Sequence, residues 1–148
     1  MSRAAFQILV FPFYHTEDGV LEYAIFKRAD AGYWQGIAGG GEEGEIPLQA
    51  ARREAWEEAG VPPEAEFIPL DSMTTIPAAW AAGMLWGEEV LVVPEYSFGA
   101  RLKQQEITLS HEHTEYAWVD YQTALDRLKW DSNRAALWEL NYRLRRMS

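Results

Sequence analysis

Glu54, Glu57 and Glu58 stand together in the stretch GGGEEGEIPLQAARREAWEEAGV, residues 39–61, with Arg53 beside them. At 100° per residue in a helix they fall within about 100° of arc and share one face. Like charges that close cost roughly 0.2–0.5 kcal/mol per pair in a bare helix, so the pattern asks for a cation among them. All-oxygen ligands favour Mg²⁺ or Mn²⁺ over zinc. Glu54 and Glu58, one turn apart, are the strongest expected metal ligands, with Glu57 between them. Pro47 suits a first helical turn and Gly60 a helix stop, which predicts a helix over 47–59. Leu48, Ala51, Ala55 and Ala59 make a second stripe, small enough to let that helix lie close on a sheet. The glycines that precede it predict a turn needing positive φ, in which Gly39 and Gly40 bring the main chain close to metal or phosphate.

Taken alone, three glutamates describe a solvated acidic helix face. The spacing argues otherwise. Gly39, five residues, Glu45, seven residues, then Arg53-Glu54-Ala55-Trp56-Glu57-Glu58-Ala59-Gly60-Val61 resembles the Nudix hydrolase signature G-x5-E-x7-R-E-U-x-E-E-x-G-U, where U is bulky and aliphatic. One position departs, Ala55 for a bulky residue, and every charged position matches. The resemblance implies an α/β/α sandwich with a mixed central sheet whose loop and helix hold divalent metal against a diphosphate. Downstream, Ser110-His-Glu-His-Thr-Glu-Tyr-Ala-Trp-Val119 and Lys129-Trp-Asp-Ser-Asn-Arg134 resemble the branch acting on dATP and dihydroneopterin triphosphate. In that branch a loop glutamate adds a carboxylate to the metal cluster, and position for position it is Glu112, with Glu115 as runner-up.

What the resemblance implies is Mg²⁺-dependent hydrolysis of a nucleoside or pterin triphosphate, by attack of water on phosphorus, to a monophosphate and pyrophosphate. Glu57, Glu58 and Glu112 form the expected catalytic group, with Glu57 and Glu112 both candidates for the base. Arg53 joins them as the residue that orients a neighbouring glutamate, and Glu45 ties loop to helix. Arg3 and Lys27 match basic positions associated with triphosphate contact, and Arg28 stands beside Lys27 at the mouth of the loop. Trp34 is a candidate for stacking on a base as well as for packing. Alternatives within the family are ADP-ribose, a dinucleoside polyphosphate or an oxidised nucleotide, and outside catalysis a nucleotide-sensing Nudix domain.

The 148 residues suit one domain, with 48% apolar and 14% aromatic residues and no cysteine. A net charge of −10 opposes binding to nucleic acid polymers or anionic membranes. No run approaches a membrane span or a signal peptide, so the expectation is a soluble cytoplasmic protein with a small phosphorylated partner and a homodimer among the assemblies it allows.

The elements that must position these residues read as follows. Residues 4–14 form a strand buried on both faces, and Leu21–Lys27 its hairpin partner, with Tyr23 and Ile25 on one side and Ala24 and Phe26 on the other. Residues 33–38 form a short strand that feeds the glycine turn. Phe67–Leu70 reads as a strand, residues 71–84 as irregular or bulged, and Leu85–Val93 and Tyr96–Phe98 as strand pieces separated by Pro94. Trp80, Met84 and Trp86 read as core rather than as a base-binding wall. His111 and His113 read as a surface loop rather than a zinc site. Asp120 caps a helix, and Asp131 or Ser132 starts the last one, with Ala135, Leu137, Trp138, Leu140, Tyr142 and Leu144 mostly inward.

Overall fold

The computed structural model describes residues 2–111 and 113–147. The chain opens with β1 (Arg3–His15), whose apolar run Ile8–Phe13 is buried throughout. Gly19, at φ 80°, turns it into β2 (Leu21–Arg28). The two strands pair only at the hairpin end, from Phe13↔Tyr23 to His15↔Leu21. Beyond that they part, and the chain from Trp34 to Glu42 fills the fork. β3 (Trp34–Gln35) pairs with β2, and β4 (Ile37–Glu42) pairs with β1.

Next come α1 (Pro47–Ala59), β5 (Glu66–Pro77), α2 (Ala78–Ala82), β6 (Val92–Arg101), β7 (His113–Val119), α3 (Tyr121–Arg127) and α4 (Asp131–Met147). β6 runs parallel to β1 and antiparallel to β5, and β7 lies antiparallel on β2, giving a mixed sheet in the order β3-β2-β1-β6-β5. Alternation along the central strands divides the core in two. Ile8, Val10, Ala24 and Phe26 face α1 through Ala50, Ala51, Ala55 and Ala59. Leu9, Phe11, Tyr23 and Ile25 face α3 and α4 through Ala124, Leu137, Leu140 and Leu144. This is the expected α/β/α sandwich. Among the described residues no helix is long and apolar enough to cross a membrane.

Local chemistry sets the helix ends. Pro47 occupies the first turn of α1, and Gly60 closes it in the left-handed region at φ 71°, its N–H bonded to the Trp56 carbonyl. Asp120 caps α3 by accepting from the Thr123 N–H at 2.8 Å.

Five expectations need correction. Gly39, Gly40 and Gly41 do not form a positive-φ turn: they lie within β4, and the turn itself falls beyond the strand's end, at Gly44, φ 89°. Their lack of side chains serves close approach instead, because a Cβ would run into the Glu54 carboxyl at Gly39, the Arg3 guanidinium at Gly40 and the Phe6 ring at Gly41. Residues 85–91 are turn and irregular chain, and β6 starts at Val92 and carries on through Pro94, which sits opposite Thr75. In α4 the inward face is Asn133, Ala136, Leu137, Leu140, Asn141 and Leu144, while Ala135, Trp138 and Tyr142 face outward and the two rings stack at 5.3 Å. Trp80 and Met84 are exposed rather than core, and His113 is buried in β7 rather than in a surface loop.

Candidate active site

A cleft of about 580 Å³ opens at the fork between β1 and β2. One end is walled by α1 and β4 through Gly39, Gly40, Arg53, Glu54, Glu57 and Glu58. Arg53 is the hub of that wall. Its Nε and Nη2 donate to Glu45 at 2.9 and 3.0 Å, its Nη1 donates to Glu54 at 2.9 Å and to Glu57 at 3.3 Å, and Nη2 reaches the Gly40 carbonyl at 2.9 Å. Glu45 also accepts from the Glu42 N–H at 2.8 Å, so it ties the end of β4 to the helix. Glu58, on the inner side of α1, accepts from the Ser110 hydroxyl and lies 3.6 Å from His113 Nδ1. The backbone of the 108–110 segment is bonded along the end of α1, Thr108 N–H to Ala59 and Ser110 N–H to Glu58.

Charge at this end is unbalanced. Glu42, Glu45, Glu54 and Glu57 all draw on the single guanidinium of Arg53, within 3.7 Å at most. Glu45 receives the best share, and its hydrogen bonds from Arg53 hold its carboxyl below the usual range. Glu54 is raised to about 7: burial is the largest cause, Glu58 and Glu57 add repulsion, and Arg53 offsets only part of it. Among the described residues no three acidic or histidine side chains are drawn together as a ready-made metal cage. The donor set nonetheless fits a hard divalent ion of the kind held by one or two carboxylates and completed by substrate oxygens and water. The excess of carboxylates over the one guanidinium supplies the attraction.

Of the residues singled out from sequence, Arg53, Glu54, Glu57, Glu58, Gly39, Gly40, Arg3 and Arg28 all line the cleft. Arg3 lies over Gly40, its Nη2 donating to Gln7 Oε1 at 2.8 Å while Gln7 Nε2 donates to the Gly39 carbonyl at 2.8 Å. Arg3 Nε is buried with no hydrogen-bond partner among the described residues, a donor left for an anion. Arg28 makes a two-pronged pair with Asp30, at 3.0 and 2.8 Å.

Two candidates are placed elsewhere. Lys27 pairs with Glu115 at 3.4 Å, away from the cleft lining. Trp34 packs on the core beside the end of α3, with Arg127 at 5.7 Å from its ring centre, and does not line the cleft either. Both belong to β2 and β3, where alternation turns them from the fork. Glu112 lies outside the described residues.

Family comparison agrees with this geometry. Residues 8–139 match the NUDIX domain model. The chain belongs to the Nudix family. A crystal structure from Listeria monocytogenes, described as a NUDIX hydrolase, is 40% identical, superposes with a TM-score of 0.87, and each chain covers 97% of the other. The dihydroneopterin triphosphate diphosphatase of Escherichia coli K12 is 32% identical over 126 residues, covering 83% of this chain and 84% of that protein. A Myxococcus xanthus protein named octanoyltransferase is 35% identical over 104 residues, 70% of this chain, but the match spans only 27% of that protein's length.

Within the Nudix box, the one departure now has a packing reason. Ala55 is fully buried between α1 and the sheet, where it belongs to the alanine stripe that lets the helix lie close. The Nudix cleft also holds residues that sequence reasoning passed over. Gln7 and Glu95 are both buried and both line it. Gln7 is the lone polar residue in the apolar run FQILVF and Glu95 the lone charged residue in VVPEYSF, which is the signal that could have found them.

Proposed function

We propose that this Nudix chain is a Mg²⁺-dependent pyrophosphohydrolase that cleaves a nucleoside or pterin triphosphate to a monophosphate and pyrophosphate. The observation that carries the reading is the surplus of carboxylates around Arg53 at one end of a cleft whose adjoining wall carries Arg3 with its buried, unpartnered Nε. Glu54 and Glu58 would hold the divalent ion, with Glu57 completing the set. When bound, that ion neutralises phosphate charge and fixes the orientation of the reacting oxygens.

The chain's own residues do the rest. Arg53 keeps Glu54 and Glu45 in place, so the carboxylate end is assembled before substrate arrives. Arg3 donates to phosphate oxygens through its free Nε. Glu57 is half exposed at the cleft rim, reachable by solvent, and it takes the proton of the attacking water, a role it shares as candidate with Glu112. The likeness to dihydroneopterin triphosphate diphosphatase supports the triphosphate class.

A panel of the common deoxynucleoside triphosphates, dihydroneopterin triphosphate, ADP-ribose and diadenosine tetraphosphate, assayed with Mg²⁺ and with product identification, tests the reading. Release of pyrophosphate from a triphosphate is expected. Orthophosphate release, or turnover confined to ADP-ribose or the dinucleotide, would overturn it. Glu54→Gln and Glu58→Gln should each cut kcat at least tenfold, a barrier raised by about 1.4 kcal/mol or more. Wild-type rates in both would remove the metal assignment.

A further inference from the structure

The second end of the cleft has no role in the reading above. It is floored by Gln7 and Glu95 and walled by Ile76, Trp80 and Ala81. One register line crosses the sheet there: Gly40 on β4 pairs with Gln7 on β1, Gln7 with Glu95 on β6, and Glu95 with Thr74 on β5. Residues aligned in this way turn their side chains to the same face. At about 4.8 Å per strand, Glu95 lies two strand spacings, roughly 10 Å, from Gly40, beside which the proposed reading sets the phosphates.

Glu95 is 7% exposed, and among the described residues its carboxyl makes no hydrogen bond or ion pair. Burial alone pushes it up to about 7. A carboxyl in that condition normally costs stability unless something satisfies it. Gln7 does not: its amide Nε2 donates to the Gly39 carbonyl and its Oε1 accepts from Arg3. Arg53, the hub of the other end, is bonded to Glu45, Glu54 and Glu57. Trp80 beside it is 76% exposed, a flat ring with an uncovered face.

A carboxylate presents two parallel acceptors and no donor. The apolar walls beside it give an ammonium no further acceptors and match a flat ring. A ring edge with two adjacent N–H donors completes the pair: the 2-amino-4-oxopyrimidine edge shared by guanine and pterins. Adenine and cytosine present one donor beside one acceptor, which sets a lone pair against a carboxylate oxygen.

We infer that Glu95 is the specificity-determining residue of this cleft and that it reads the paired N–H edge of a guanine or pterin ring lying against Trp80. The inference rests on the triphosphate reading for the placement of the phosphates, not for the recognition itself. Sites built to hydrogen-bond a ligand edge reject analogues that lack it strongly, since the buried group is then left unpaired.

Calorimetric titration of the full chain with guanosine and adenosine 5′-monophosphates at pH 8, without turnover, tests it. Guanosine monophosphate should bind at least tenfold more tightly. Glu95→Gln should lose at least tenfold for guanosine monophosphate and less than twofold for adenosine monophosphate, with Glu95→Asp in between, and melting curves report whether each variant is folded. Equal binding of the two nucleotides by the wild type, the absence of binding by both included, or an equal loss for both in folded Glu95→Gln, overturns the inference. Should Glu95→Gln fail to fold, the wild-type ratio and Glu95→Asp decide. Because the monophosphates need no hydrolysis, a chain that cleaves no triphosphate can still show this preference, and a chain that cleaves every triphosphate can still lack it.

Discussion

Helices α1 and α4 cover opposite faces of one sheet, and each turns a glutamate toward its neighbours in a different condition. On α4, Glu139 accepts the backbone N–H groups of Asp71 and Ser72, both at 2.7 Å, and Arg143 Nε at 2.7 Å. Burial works against its charge, but those donors outweigh it and hold the carboxyl at about 2. On α1, Glu54 shares one guanidinium with three other carboxylates and rises to about 7. A fully satisfied carboxylate fastens a structure, here the irregular pairing of β5 between Pro69 and Met73. An under-satisfied one is held ready for a ligand.

The contrast can be broken at several points. The largest effect is expected from Gly39→Ala, whose Cβ would displace the Glu54 carboxyl. The obstructing atoms are the far end of a flexible side chain, so the fold should survive. Steady-state assays should show turnover down at least tenfold, about 1.4 kcal/mol on the barrier, with the melting temperature within a few degrees of wild type. Wild-type turnover would show that β4 need not be bare.

Glu139→Gln should do the reverse. It leaves one backbone N–H facing an amide NH₂, and denaturant titration should show a loss of about 1 kcal/mol of stability with kcat unchanged.

Smaller shifts come from pH. For Glu54 and Glu95 the folded value, about 7, lies above the ordinary value of 4.5, so the folded state holds its protons more tightly. Their contribution to stability is complete below 4.5 and lost as pH rises through 7. Glu139 has the opposite sign: its contribution is present above 4.5 and lost as pH falls toward 2. Melting curves of the metal-free protein should therefore decline between pH 4.5 and 7, and Mg²⁺ should raise the melting temperature more at pH 8 than at pH 5.5. A Mg²⁺ effect independent of pH would detach Glu54 from metal binding. The smallest expected effect is at Trp138→Ser on the outer face of α4, within about 0.5 kcal/mol of wild type by the same titration.

Much of this was legible in the chain because it depends on neighbours in sequence. Pro47, Gly60 and Asp120 act on their own turns, and α1 begins and ends where they place it. Alternation in β1 and β2 sorts the two cores without reference to anything distant. What was not legible depends on partners far along the chain. Three glycines in a row suggest a turn until Arg3, Phe6 and Glu54 arrive from β1 and α1 to claim the space a side chain would take. Glu95 resembles an exposed strand residue until Gln7 is set beside it and α2 folds over the end of β5. Lys27 and Trp34 stood near the loop in sequence, but the fork in the sheet turned them to the other side.

The amide of Gln7 reaches Gly39 on one strand and Arg3 on its own, while its backbone neighbours Glu95. A single uncharged group thus stands where the wall that grips phosphate meets the floor that faces the ring. Loosening it moves both at once, so ring preference and phosphate affinity are mechanically joined there, and a chain drifting toward a new substrate meets that joint before it meets any catalytic group.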